Sequence, residues 1–166
     1  MTIAALIGDY RAFFSDVFQE MKTRGIDIRG MPVSHLLYRV ATLQEYEIAR
    51  NHLKAFCRDF VEAPFNGRAI AIFVLKEPLI LAEGFGVSVI ELPAPKIMSP
   101  HPTGLESMGM VVGKALPEFI VRHASGLIDI NDQSASISLA KDRKVKFCAL
   151  ALQEKVQLQG CEMAAL

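Results

Sequence analysis

The order in which the predicted elements recur constrains this chain more than any single stretch. After Gly30 and Pro32, the run VSHLLYRV is short and apolar enough for a buried strand. Thr42 and Glu45 form a capping box, and Tyr46, Ala49, Leu53, Phe56 and Phe60 follow at helical spacing. Asn66–Gly67 marks a hairpin turn into a central strand, AIAIFVL, which Lys76, Glu77 and Pro78 bound. Leu79–Leu81 reads as an edge piece and Val87–Leu92 as the next strand. Four prolines (Pro93, Pro95, Pro100, Pro102) and Gly104 then make a rigid connection without regular structure.

The pattern starts again with LESMGMVV, followed by a helix over 115–124 that Pro117 opens and Gly126 closes. Leu127–Ile130, Ala135–Leu139 and Val145–Leu150 read as three further strands, and the tail from Ala151 as a short helix fraying beyond Gly160. The order is βαβββ, twice. Two such units bury both helix layers only by packing side by side, so the expected fold is α+β. Its sheet is cleft-bearing and partly open, like an incomplete barrel. The expected division is an N-terminal helix in residues 1–30, a first module in 31–104, and a second module with the C-terminal tail in 105–166, all in one compact domain.

From Ile3 to Arg24 the residues Ile3, Leu6, Tyr10, Phe13, Phe14, Val17 and Met21 recur at helical spacing until Gly25. This amphipathic helix is expected to pack across the modules; the alternative is a helix that meets a partner protein. Lys plus Arg (18) balances Asp plus Glu (18), so no basic field is available for nucleic acid or an anionic membrane. Cys57, Cys148 and Cys161 are too scattered for a disulfide framework or a zinc knuckle, which points to a cytoplasmic location. The opening IAALI lacks preceding basic residues and breaks at Gly8–Asp9, unlike a signal peptide. No GxSxG, P-loop, HExxH or GxGxxG motif occurs.

Glu91 stands out chemically. Val87, Val89 and Ile90 mark its strand as buried, and a carboxylate there needs a partner. Superposing the halves sets His35 opposite Ser107 and Glu91 opposite Cys148. Side chains alternate along a strand, so His35, Leu37 and Arg39 share a face, as do Lys144, Lys146 and Cys148. If those faces line the cavity, His35, Glu91, Ser107 and Cys148 converge. Histidine and glutamate bind divalent ions and a thiolate adds a soft ligand. The plainer alternative is a hydrogen-bonded core histidine, a Glu91–Arg39 ion pair and an inert buried cysteine. Ser134, Ser136 and Ser138 alternate on one strand face, either an exposed face or a polar cavity wall. His52 and His123 fall on helices and read as surface or boundary residues.

The segments SHLLYR, NGRAIAIFVLKEP, VSVIELPAPK, PHPTGLES and VKFCAL resemble, in order and spacing, the YecM-like family of the vicinal oxygen chelate (glyoxalase/bleomycin-resistance/dioxygenase) superfamily. The resemblance implies paired modules around a U-shaped cleft able to hold a divalent metal ion. His35 matches the family's strand-borne histidine and Glu91 its ELP carboxylate. Ser107 and Cys148 depart from it, each standing where a relative has histidine. The implied function is a small-molecule-binding protein, in one version a divalent-metal-dependent enzyme acting on vicinal oxygens through His35, Glu91 and Cys148. Arg39 and Ser107 would then contact the ligand, with Arg39 gripping its carboxylate or phosphate. The alternatives are a metal-free module with a degenerate site, and a protein-interaction module using the N-terminal helix. His101 matches the family's PH and is expected to order its loop. The resemblance also leaves a homodimer open.

Overall fold

The computed structural model describes residues 1–158 and 164–165; Cys161 lies outside them, and of the stretch expected to fray beyond Gly160 only Ala164–Ala165 is described, as a short strand. The N-terminal helix is two helices, α1 (Ile3–Ile7) and α2 (Tyr10–Thr23). Gly8, at φ 96°, breaks the run where a side chain would be strained, and the Asp9 carboxylate restarts it by accepting from the Ala12 N–H at 2.9 Å.

Next come β1 (Val33–Arg39), α3 (Leu43–Leu53), β2 (Cys57–Phe65), β3 (Arg68–Ala82) and β4 (Phe85–Pro93). The second half holds β5 (Gly104–Val111), α4 (Leu116–His123), β6 (Ser134–Leu139), β7 (Arg143–Cys148), α5 (Leu152–Leu158) and β8 (Ala164–Ala165). The capping box on α3 forms as expected, with Thr42 and Glu45 each satisfying the other's backbone N–H.

Three expected elements differ. The helix ends at Leu53, and Phe60 belongs to β2, where its ring meets Phe73 at 5.2 Å. Leu79–Leu81 is not a separate strand; β3 runs through Pro78 by slipping register against β4 between Val74 and Leu79. Leu127–Ile130 contributes only one bridge, Ile128 to Ser136, because Asp129 turns left-handed at φ 51°.

The sheet runs β6-β7-β5-β1-β4-β3-β2-β8 and does not close. Within each half the first and last strands are parallel, β1 with β4 and β5 with β7, while β1 and β5 join the halves antiparallel. One face packs against α1 to α4 in a single core holding Leu36, Phe73, Ile90, Met108 and Phe147. Phe13, Phe14, Val17 and Met21 of α2 are all buried in that core. The apolar stripe of the N-terminal helix therefore serves the chain's own interior and is not free for a partner. The opposite face is concave. Its first-half portion (Ile72, Val74, Val89) is roofed by Val156 and Leu152 of α5. Its middle and second-half portion stays open.

Candidate functional site

Strand register dictates which side chains reach the open part of the concave face. Residues directly opposite across a ladder project to the same side. Ser136, Lys146, Gly109 and His35 form one row across β6, β7, β5 and β1. Ser138, Lys144, Ser107, Leu37 and Glu91 form the next, across β6, β7, β5, β1 and β4. The result is a cleft of about 300 Å³ lined by His35, Arg39, Glu91, Ser107 and Cys148, the residues expected to converge. Ser134 and Ser136 also line it, so the alternating serines form a polar cavity wall at those two positions, whereas Ser138 is exposed.

His35 is held on every side. Ser34 Oγ lies 2.8 Å from Nδ1 and accepts from the Leu152 N–H at 2.8 Å, tying α5 to the site. Nε2 lies 3.3 Å from Glu91 Oε2. With the Ser34 hydroxyl donating to Nδ1, the other nitrogen carries the proton that Glu91 accepts. Gly109 makes this placement feasible: a Cβ there would sit 2.5 Å from Cε1 and 2.7 Å from Nδ1 of the ring. The imidazole occupies the space a side chain would fill.

The partner of Glu91 is thus His35, not Arg39. Burial by itself would raise the Glu91 carboxyl. The His35 hydrogen bond and the charges of Lys146 and Arg68 outweigh burial and hold it below the usual carboxylate range. Arg39 pairs instead with Glu106, and Lys144 with Asp129 at 3.4 Å. Arg68, which sequence reasoning passed over, donates to the Ala94 carbonyl at 3.0 Å. Desolvation and the like charge of Arg39 lower its pKa. Lys146 and Lys155 line the cleft and form no ion pair among the described residues. Lys155 comes from α5, whose docking could not be anticipated from sequence. His101 shares a neighbouring hollow with Arg39, but Thr103 anchors that loop by donating to Glu45 Oε2 at 3.1 Å and accepting from the Ala41 N–H at 3.0 Å. His52 is exposed and His123 half-buried, both on helices away from the cleft lining.

The donor set does not fit a divalent ion. His35 and Glu91 are directed at each other, and among the described residues no three His, Cys, Asp or Glu side chains cluster as ligands. Burial pushes the Cys148 thiol up despite the nearby charges of Lys155 and Lys146. Register also alters the correspondence between the halves. Leu37 lies in register with Glu91, and its equivalent Gly109 with Lys146. The counterpart of Glu91 is therefore Lys146, two residues before Cys148 on the same strand face.

A family model described as YecM protein matches residues 2–164. No curated protein matches the chain. Among solved structures, a structural-genomics protein, EC4020, is 21% identical, covering 89% of this chain and 88% of its own, with a TM-score of 0.73. Methylmalonyl-CoA epimerase from Mycobacterium tuberculosis is 17% identical, covering 75% of this chain and 91% of its own, with a TM-score of 0.50. These likenesses show the fold, which is that of the vicinal oxygen chelate superfamily. Among the described residues no helix is long and apolar enough to cross a membrane.

Proposed function

This chain belongs to the YecM protein family, and from that premise we propose that its cleft binds a small organic anion directly, through side-chain charge, without a divalent ion. The observation that carries this reading is the pair Lys146 and Lys155. Both face the cleft without an acidic partner among the described residues, while Arg39 and Lys144 are paired with Glu106 and Asp129. The cleft lining thus sets Arg39, Lys144, Lys146 and Lys155 against Glu91, Glu106 and Asp129, an excess of positive charge in a chain with no net charge. Ser107, Ser134 and Ser136 add hydroxyls beside them, each less than a tenth exposed. A volume of about 300 Å³ suits a molecule of few heavy atoms.

The competing reading is a metal-dependent enzyme acting on vicinal oxygens. It draws on His35 and Glu91 lying within 3.3 Å of each other, with no third His, Cys, Asp or Glu clustered beside them among the described residues. Thermal stability at fixed ionic strength, measured with added oxalate, phosphate or the neutral oxamide, separates the two. Charge recognition expects stabilisation by oxalate or phosphate, none by oxamide, and its loss in a Lys146→Met/Lys155→Met variant. Equal stabilisation by oxamide, or an anion effect that appears only after zinc is added, would refute it.

A further inference from the structure

The repeat makes one substitution in the cleft conspicuous. β1 and β5 pair with His35 opposite Gly109, Leu36 opposite Met108 and Leu37 opposite Ser107. The local two-fold therefore passes through the Leu36–Met108 pair and exchanges His35 with Ser107 and Leu37 with Gly109. The parallel partners carry the relation outward, so Glu91 exchanges with Lys146. Four symmetry-related positions face the cleft: an imidazole and a carboxylate from the first module, a hydroxyl and an ammonium from the second.

We infer that the Lys146 ammonium is a tethered cation standing in the cleft where the repeat would otherwise supply a fourth ligand to a divalent ion. Its fixed charge both repels such an ion and grips a ligand oxyanion. Two features of the placement support this. Gly109 is the residue between Lys146 and His35 in their row, so no side chain of that row stands between the two. Ser136, directly opposite Lys146 on β6, and Ser107, the counterpart of His35, are buried hydroxyls lining the same cavity. A carboxylate or phosphate oxygen against Lys146 would find hydroxyl donors alongside it. A divalent cation would meet an ammonium, a His35–Glu91 pair already spent on each other, and the Glu106 and Asp129 carboxylates already held by Arg39 and Lys144. The anion-gripping half of this assignment rests on the binding reading above; the cation-excluding half does not.

The test uses tag-free full-length protein and titrates zinc alone by calorimetry. Replacing Lys146 with methionine removes the charge that repels the doubly charged ion and should tighten zinc binding at least about tenfold over wild type, or about 1.4 kcal/mol. Lys146→Glu restores a carboxylate at the fourth position and should go further, creating a site of about one equivalent that a His35→Ala change abolishes. Wild-type protein that already binds zinc as tightly as Lys146→Glu, or a folded Lys146→Met variant with unchanged zinc affinity, overturns the assignment. In a parallel arm, oxalate and phosphate should stabilise the wild type and not Lys146→Met, and the anion with the larger effect identifies the headgroup. An unaltered anion effect in Lys146→Met also overturns the assignment. If neither anion stabilises the wild type while the zinc gains appear, the binding reading falls and the charge substitution stands.

Discussion

Gly109→Ala is the change whose outcome the structure fixes most sharply. Glycine in a strand interior is ordinarily a weakness, and replacing it with alanine should add roughly 0.5–1 kcal/mol of stability. Here the added Cβ falls 2.5 Å from His35 Cε1, 2.7 Å from Nδ1 and 3.1 Å from Ser34 Cβ, distances that force the ring to move. A displaced ring gives up the Ser34 contact at 2.8 Å and the Glu91 contact at 3.3 Å. The first is a buried neutral hydrogen bond worth about 1 kcal/mol, and the second, made to a carboxylate, about 2 kcal/mol. After the strand gain is subtracted, a net loss of about 2–2.5 kcal/mol is expected, which lowers Tm by about 4–10 °C in a chain of this size. Urea unfolding followed by circular dichroism measures it. The mechanism is isolated by repeating the substitution in a His35→Ala background, where the clash no longer exists and the penalty should largely vanish. A Gly109→Ala protein as stable as wild type, or one whose loss persists unchanged without the imidazole, would show that the ring does not rest on the bare backbone of β5.

Two further outcomes follow from the same face of the sheet. Because the folded-state pKa of Glu91 lies below the ordinary 4.5, its ionised form contributes stability that is fully present above about pH 4.5 and is lost as pH falls through the folded value. The stability gap between wild type and Glu91→Gln, followed by denaturant titration from about pH 4.5 downward, should therefore narrow; a gap that widens over that range contradicts the assignment. Val156, 4% exposed against Ile72, Val74 and Val89, roofs the closed part of the cleft. Val156→Asp would place an unpaired carboxylate there, costing about 3 kcal/mol or more. It should release α5 to limited proteolysis while the sheet core stays protected, and unchanged protease resistance counts against that docking.

Much of this architecture is legible from residues that act locally. The capping box at Thr42–Glu45, the Asn66–Gly67 turn and the uninterrupted AIAIFVL run each specify their element whatever surrounds them. The duplicated order brought His35, Glu91, Ser107 and Cys148 to one cavity. Elements that depend on distant partners were not legible. Phe56 and Phe60 continue the helical spacing of α3, yet Phe60 is drawn into β2 by its contact with Phe73 on the neighbouring strand. Pro78 reads as a strand end, but a register slip lets β3 pass it. The partner of Arg39 was misplaced for a similar reason: Glu106 and Glu91 both lie near, and only the pairing of β1 with β5 favours the former. Lys146 was hidden because the strand ends match Glu91 with Cys148, whereas parallel register, which no local pattern encodes, shifts the match by two residues.

The antiparallel β1–β5 pair is also a seam. His35 and Arg39 lie on one side of it with Glu91, and Ser107, Gly109 and Lys146 on the other, so neither half of the chain owns a complete site. The bare backbone that seats the imidazole is contributed by the opposite half, which makes the geometry of His35 a reporter of whether the halves are zipped together. A molecule bridging Lys146 and the first-half residues would act as a rivet across that joint. Occupancy of the cleft and closure of the seam are then two readouts of one equilibrium, and slowed amide exchange along β1 and β5 becomes a way to detect a bound molecule before anyone knows what it is.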